Sequence, residues 1–167
     1  MSESDKPQSK LFEMCVRGDR YREDYEFEML GETVTASLKP MKDDKFVPIA
    51  AFLKAHLGMD EEEAIDAVEA AKEEAEEAGE DTIDITQMDT EFVVTMQRAA
   101  INSLAGSYDD EGNYYEHDED EAEQMVGMMI GGYSVELGGK ALEISGDVRD
   151  ATKFRGSRGG QRGLGAE

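Results

Sequence analysis

The apolar residues of this chain change period at Pro40, and that switch constrains the fold more than any other feature. Ahead of it runs "LFEMCVRGDRYREDYEFEMLGETVTASLKP", in which Tyr25, Phe27 and Met29 alternate with Glu26, Glu28 and Leu30, and Val34, Ala36 and Leu38 alternate with Thr35 and Ser37. A period of two places one set of side chains on one face of a strand, and the glycines of "RGDR" and "LGET" supply turns. From Leu11 onward the segment reads as a small antiparallel sheet of two or three strands. Pro40 ends it, because proline cannot donate to a ladder. Cys15, inside the apolar run "LFEMCV", reads as a small core residue; one cysteine excludes an intramolecular disulfide.

Beyond Pro40 the spacing is helical. In "DDKFVPIAAFLKAHLG", Phe46, Ile49 or Ala50, Leu53 and Leu57 share a face; Asp43 or Asp44 can cap the start, Pro48 falls in the first turn, and Gly58 stops the helix. "MDEEEAIDAVEAAKEEAEEAGE" predicts a second helix, with Asp60 as N-cap and Glu63 completing a capping box. Its large apolar residues are Ile65 and Val68, and after Ala71 it turns polar. A third helix, capped by Asp89 or Thr90, carries the stripe Phe92, Val93, Met96, Ala100 and Leu104 and stops at Gly106. An acidic loop, "SYDDEGNYYEHDEDE", comes next. Then "EAEQMVGMMIGGYSVELGGKALEIS" begins as a Met-rich helix and continues as a helix or a short hairpin, because Gly131-Gly132 and Gly138-Gly139 interrupt it. The fold class is α+β: an N-terminal antiparallel sheet packed on a helical domain. Residues 1–10 read as disordered, 11–145 as one domain, and 146–167 as a flexible basic tail rich in Gly and Arg.

Charge divides the chain in two. Before Asp147 there are 12 basic residues against 37 acidic, a net of −25; from Asp147 onward five basic face three acidic, a net of +2. With 34% of residues charged and 39% apolar, the composition approaches that of disordered chains, but the periodic segments argue for a folded middle. A body at −25 repels itself in dilute buffer, whereas in molar salt the Debye length falls to about 3 Å and the repulsion is screened. The balance points to a high-salt cytoplasm such as that of halophilic archaea, the alternative being a basic partner. No apolar run reaches the ~18 residues of a membrane span, and "MSESDKPQSK" is not a signal peptide.

Motifs for chemistry are weak. Placing Gly112 at the sixth position of a calcium loop puts Ser107 at the first and Asp118 at the twelfth, where a carboxylate and a bidentate Glu belong. A solvated acidic loop is the simpler reading. Phosphate-loop, zinc-protease and nucleophile-elbow motifs are absent, and His56 and His117 have no partner pattern. The sequence thus predicts neither enzyme, cofactor nor metal site. "MVGMMIGG" holds three Met in five residues, a composition suited to a core helix or to a surface that accepts several partners. The ending "KFRGSRGGQRGLGAE" contains one "RGG", and the acidic body would repel nucleic acid. Val148, Ala151 and Phe154 fall at i, i+3 and i+6. The tail therefore reads as a docking element for an acidic protein surface, a second copy of this chain included, with Arg149, Phe154, Arg155, Arg158 and Arg162 as its partner-binding residues.

The layout around "YEFEMLGETVTASLKPM" and "FVPIAAFLKAHLG", followed by acidic helices and a polar C-terminal part, resembles the small tail assembly chaperones of tailed viruses, here of a type infecting haloarchaea. The resemblance spans about residues 11–105. It implies a protein that works in the host cytoplasm, performs no chemistry, and binds viral structural proteins, the tape-measure and tail-tube proteins. A structural virion component, such as a connector or capsid-associated protein, is the alternative.

The charge of the body generates one expectation. Its melting midpoint should rise steadily from 0.1 to 3 M KCl (concentrations chosen about the screening range of roughly 10 to 3 Å). A midpoint that does not move would assign the charge to a partner and not to the solvent.

Overall fold

The alternation forms a hairpin. In the computed structural model, which describes residues 9–149, β1 (Glu23–Met29) pairs antiparallel with β2 (Glu32–Leu38), Tyr25 opposite Ala36 and Phe27 opposite Val34. These pairs share the face that turns toward the helices, while Glu26, Glu28 and Thr33 stay on the solvent side. β3 (Leu104–Tyr108) adds to β2 across a bulge at Ser37/Leu38, and β4 (Tyr114–Glu116) adds to β3, giving an antiparallel sheet in the order β1-β2-β3-β4. Together with six α-helices among the described residues, this is an α+β fold.

The sheet begins later than the sequence suggests. Lys10–Arg20 form helix α1 instead of a strand, with Ser9 as its N-cap: the Ser9 hydroxyl accepts from the Phe12 N–H at 3.0 Å. Gly18 lies inside this helix and makes no turn, and Cys15, expected in the core, is exposed. Ser9 and Lys10 thus belong to an ordered element, while residues 1–8 lie outside those described.

Helices α2 (Asp43–Leu57) and α3 (Glu61–Glu77) follow the predicted faces. Phe46, Ile49 and Leu53 are buried from α2, Ala64, Val68 and Ala75 from α3. The Asp60–Glu63 capping box is present in both directions, at 2.8 and 2.9 Å. The N-cap of α2 is Lys42, with Asp43 and Asp44 in the first turn, where they suit the helix dipole. Pro48 is the sixth residue of α2, one turn further in than expected, on an exposed face where water can solvate the carbonyl it leaves unpaired.

After a 3₁₀ turn at Ile85–Gln87, α4 (Thr90–Ser103) starts from Asp89, whose carboxylate accepts from Glu91 N–H at 2.8 Å. It stops one residue short of Leu104, which begins β3. The acidic loop is a hairpin turn. Asp109 Oδ1 accepts from the N–H groups of Glu111 and Asn113, both at 2.9 Å, and these bonds, those to Asn113 foremost, hold its carboxyl below the usual range. Asp118, the twelfth position of the calcium reading, is the N-cap of α5 (Glu119–Met128) and shares a capping box with Glu121. These carboxylates are spent on backbone donors.

α6 (Tyr133–Arg149) is one continuous helix, extending past the expected boundary at residue 145. It runs between the two core clusters: Val135, Ala141 and Leu142 enter the cluster built from α2, α3 and α4, while Tyr133, Leu137 and Ile144 enter the one beneath the sheet. Eleven of its residues are buried, while Lys140 and Glu143 face an open cleft. Gly138 and Gly139, which the sequence suggests as breaks, are its contact points instead. A Cβ on Gly138 would stand 2.1 Å from the Met96 carbonyl oxygen, and one on Gly139 would stand 2.7 Å from Val68 Cγ1. The missing side chains let α4 and α3 reach the backbone of α6. The Gly127/Gly131 pair does not work this way: Gly127 faces open space and Gly131 takes a left-handed turn at φ 69°.

This separates glycines of like helical context by what they face. Gly138→Ala should destabilise the fold by about 3 kcal/mol or more, because the clash is with backbone. Gly146→Ala, in the same helix with nothing near its absent Cβ, should stabilise it by about 0.5–1 kcal/mol. Urea unfolding of both variants in molar KCl checks the signs.

Candidate functional site

Three places on the body combine chemistry with access. The first is a cleft of about 510 Å³ between β1, α3 and α6. On its floor Glu136 is 4% exposed. Lys72 Nζ donates to Glu136 Oε2 at 2.8 Å and to the Tyr25 hydroxyl oxygen at 3.0 Å, and the Tyr25 hydroxyl donates to the same Glu136 oxygen. Lys140 lies over the Tyr25 ring, 5.8 Å from its centroid, and reaches Glu23 and Glu143 at 3.6 and 3.5 Å. Burial, reinforced by the hydrogen bond to Glu136, pushes the Tyr25 hydroxyl up to about 12. Burial opposes the charge on Lys72, but the hydrogen bonds to Glu136 and Tyr25 overcome it and raise its pKa above the ordinary lysine value. Tyr25 therefore keeps its proton and Lys72 its charge far above neutrality. What the arrangement does is hold three elements together through one oxygen.

The second place is an apolar groove of about 580 Å³ where α1, the Lys39–Asp43 connection and the end of α6 meet, lined by Met14, Cys15, Pro40, Met41 and Val148. The α6 end is fixed by Arg149. Its guanidinium donates to the Met41 carbonyl at 2.9 Å, to Asp43 Oδ1 at 2.7 Å and to the Ser145 carbonyl at 3.2 Å, and stacks 4.1 Å above the Phe46 ring. Of the five partner-binding residues expected from the sequence, Arg149 is thus engaged with an acidic residue of its own chain. Phe154, Arg155, Arg158 and Arg162 lie outside the described residues.

The third place is the opposite end of the β1–β2 hairpin. Leu30 and Gly31 form its two-residue turn, with φ of 54° and 87°. Positive φ at both positions is the type I′ pattern, which favours Asn, Asp or Gly at the first. A leucine there is strained by about 1 kcal/mol. Leu30 is nonetheless 70% exposed, and its N–H donates to the Tyr133 hydroxyl at 3.0 Å. Just before Tyr133 in the chain, Met128 and Ile130 are 68% and 66% exposed, while Met125 and Met129 pack partly into the core. In the Met-rich stretch Val126 is thus buried, Met125 and Met129 are partly buried, and Met128 and Ile130 face solvent.

Sequence reasoning missed the Tyr25–Lys72–Glu136 group. Two signals point to it in hindsight: Lys72 is the one basic residue in the acidic α3, and Glu136 stands among apolar and small residues in "YSVELGG". Leu30 carried a signal as well, since "MLGE" puts a bulky residue where a tight turn prefers Asn or Gly. Among the described residues no helix is long and apolar enough to cross a membrane. In comparison with known proteins, the chain matches no family model, no curated sequence and no solved structure.

If the cleft serves the fold and not a reaction, its charges are replaceable as a set. Lys72→Met alone leaves Glu136 without its cation and should cost about 2 kcal/mol, toned down from a fully buried pair because Lys72 is partly exposed. The double variant Lys72→Met/Glu136→Leu should recover most of that loss. Chemical denaturation in molar KCl provides the comparison, and a double variant worse than the single one would contradict it.

Proposed function

We propose that this protein is a non-catalytic interaction and assembly factor, in the manner of the tail assembly chaperones it resembles, binding structural proteins of a tailed virus of haloarchaea, the tape-measure and tail-tube proteins. The observation that carries the interaction reading is Leu30. A bulky residue is held in a left-handed turn, at a cost to stability, and its side chain faces solvent. Strain of this kind persists where the residue is needed for something other than folding. Met128 and Ile130, exposed as well, shortly precede Tyr133, whose hydroxyl accepts from the Leu30 N–H. Large apolar side chains left in water are candidates for protein contact, and methionine adapts its shape to more than one partner. The acidic remainder of the surface supports a high-salt host cytoplasm as the setting.

Stability and binding should therefore move in opposite directions. Leu30→Asn suits the turn and should raise the melting midpoint by about 3 °C, the shift for a gain of about 1 kcal/mol in a chain of this size. The same variant should lose capture of co-expressed tail-tube and tape-measure proteins in a pull-down at 2 M KCl (a salt level at which charge contacts are screened to about 3 Å). A variant that is more stable and still binds fully would remove Leu30 from the contact. Mass spectrometry of purified particles separates an assembly factor, absent from the virion, from a structural component.

A further inference from the structure

We propose that the groove between α1 and the end of α6 is covered by the chain's own C-terminal segment, with Phe154 as the side chain that fills it. α1 is amphipathic, yet none of its residues is buried: Leu11 and Phe12 are 74% and 40% exposed, and Cys15 is exposed. Asp19 pairs with Lys42 at 2.8 Å on the surface, a link worth about 0–1 kcal/mol and less in salt. Such a helix needs an apolar partner to hold its position, because isolated helices of about this length are marginal.

The occupant follows from where the described chain ends. Val148 and Arg149 themselves line the groove, and eighteen residues follow Arg149. Val148 faces the groove, and Ala151 and Phe154 repeat its position at i+3 and i+6. Phe154 stands five residues after Arg149 in the sequence, so it is tethered close to the groove that Val148 and Arg149 line. So short a tether keeps the local concentration of Phe154 at the groove in about the millimolar range or above, which a second molecule at micromolar concentration does not match. Charge does not select the occupant: the rim carries Lys39, Lys42 and Arg149 against Asp19 and Asp43, which leaves it near neutral. Apolar burial is the driving term, and it survives in salt. This inference is independent of the Leu30 surface, which lies at the far end of the β1–β2 hairpin.

Cys15 supplies the readout, being the single thiol of the chain and part of the groove wall. The rate of its reaction with a disulfide reagent is measured on the full chain at 2 M KCl and on the full-length variants Phe154→Ala and Phe154→Leu, each normalised to its own rate in guanidinium chloride. In the native protein the thiol should react about tenfold slower than in Phe154→Ala, a factor equivalent to about 1.4 kcal/mol of closure. Phe154→Leu should restore most of the protection. Matching melting midpoints exclude unfolding as the cause. Equal rates in the native chain and Phe154→Ala overturn the proposal. So does protection that grows with protein concentration, which would assign the groove to a second copy.

Discussion

The close approach of α6 to α4 at Gly138 is the constraint on which the other contacts depend. With the Met96 carbonyl 2.1 Å from where a Cβ would be, the two helices are nearer than ordinary side chains allow. Helix axes usually stand 8–10 Å apart, according to the side chains between them, and glycine sets the lower end. Once α6 is seated there, Gly139 admits Val68 of α3 from one side, and Leu137 and Ile144 reach the underside of the sheet on the other. Both core clusters are then formed around one helix. In a chain with little apolar material, one helix that counts in two cores economises on it.

The same seating explains the buried charge. Glu136 lies next to the glycine pair, on the side of α6 where α3 and β1 converge, and is removed from water with them. A buried carboxylate is costly unless its oxygens are bonded. Lys72 comes from α3, and Tyr25 comes from the edge strand β1. Each partner belongs to an element that α6 must hold in any case, so the charge group fixes the rotation of α6 relative to both. Leucine at position 136 would fill space without setting that rotation. Arg149 does the corresponding work at the other end of the helix, joining the Met41 carbonyl, Asp43 and the Phe46 ring.

What was legible in the sequence was what local pattern decides. The β1–β2 hairpin, the faces of α2 to α4, and the Asp60 and Asp89 caps depend on neighbours a few residues away, and period and capping chemistry reveal them. The errors have a common cause. "LFEMCV" is a continuous apolar run that fits strand or helix, and the deciding residue, Ser9, lies outside it. Leu104 continues the α4 stripe at i+4 from Ala100, yet it is a strand residue because β2 offers it a ladder partner from 66 residues earlier in the chain. Gly138-Gly139 reads as a break until α4 and α3 are known to press on it. The candidate site suffered in the same way: Tyr25, Lys72 and Glu136 are separated by 47 and 64 residues, and none is unusual in its own surroundings except in hindsight.

The Leu30 turn and the α1 groove, two of the apolar regions exposed among the described residues, lie at opposite ends of one hairpin, and the solvent bears on what they do. In molar salt, ion pairs across an interface are screened to a few ångströms, so a surface of carboxylates contributes hydration and little adhesion. Apolar contact is not weakened in that way, and salting-out anions strengthen it. A very acidic protein in such a medium must therefore bind through the few apolar residues it leaves outside, and every one of them also invites unwanted association. At the Leu30 end the exposure is maintained against local strain. At the α1 end the apolar groove lies beside the point where the chain leaves α6 with Ala151 and Phe154 still to place. The Leu30 turn and the α1 groove thus place exposed apolar side chains at the two ends of the β1–β2 hairpin, where salt leaves their attraction intact.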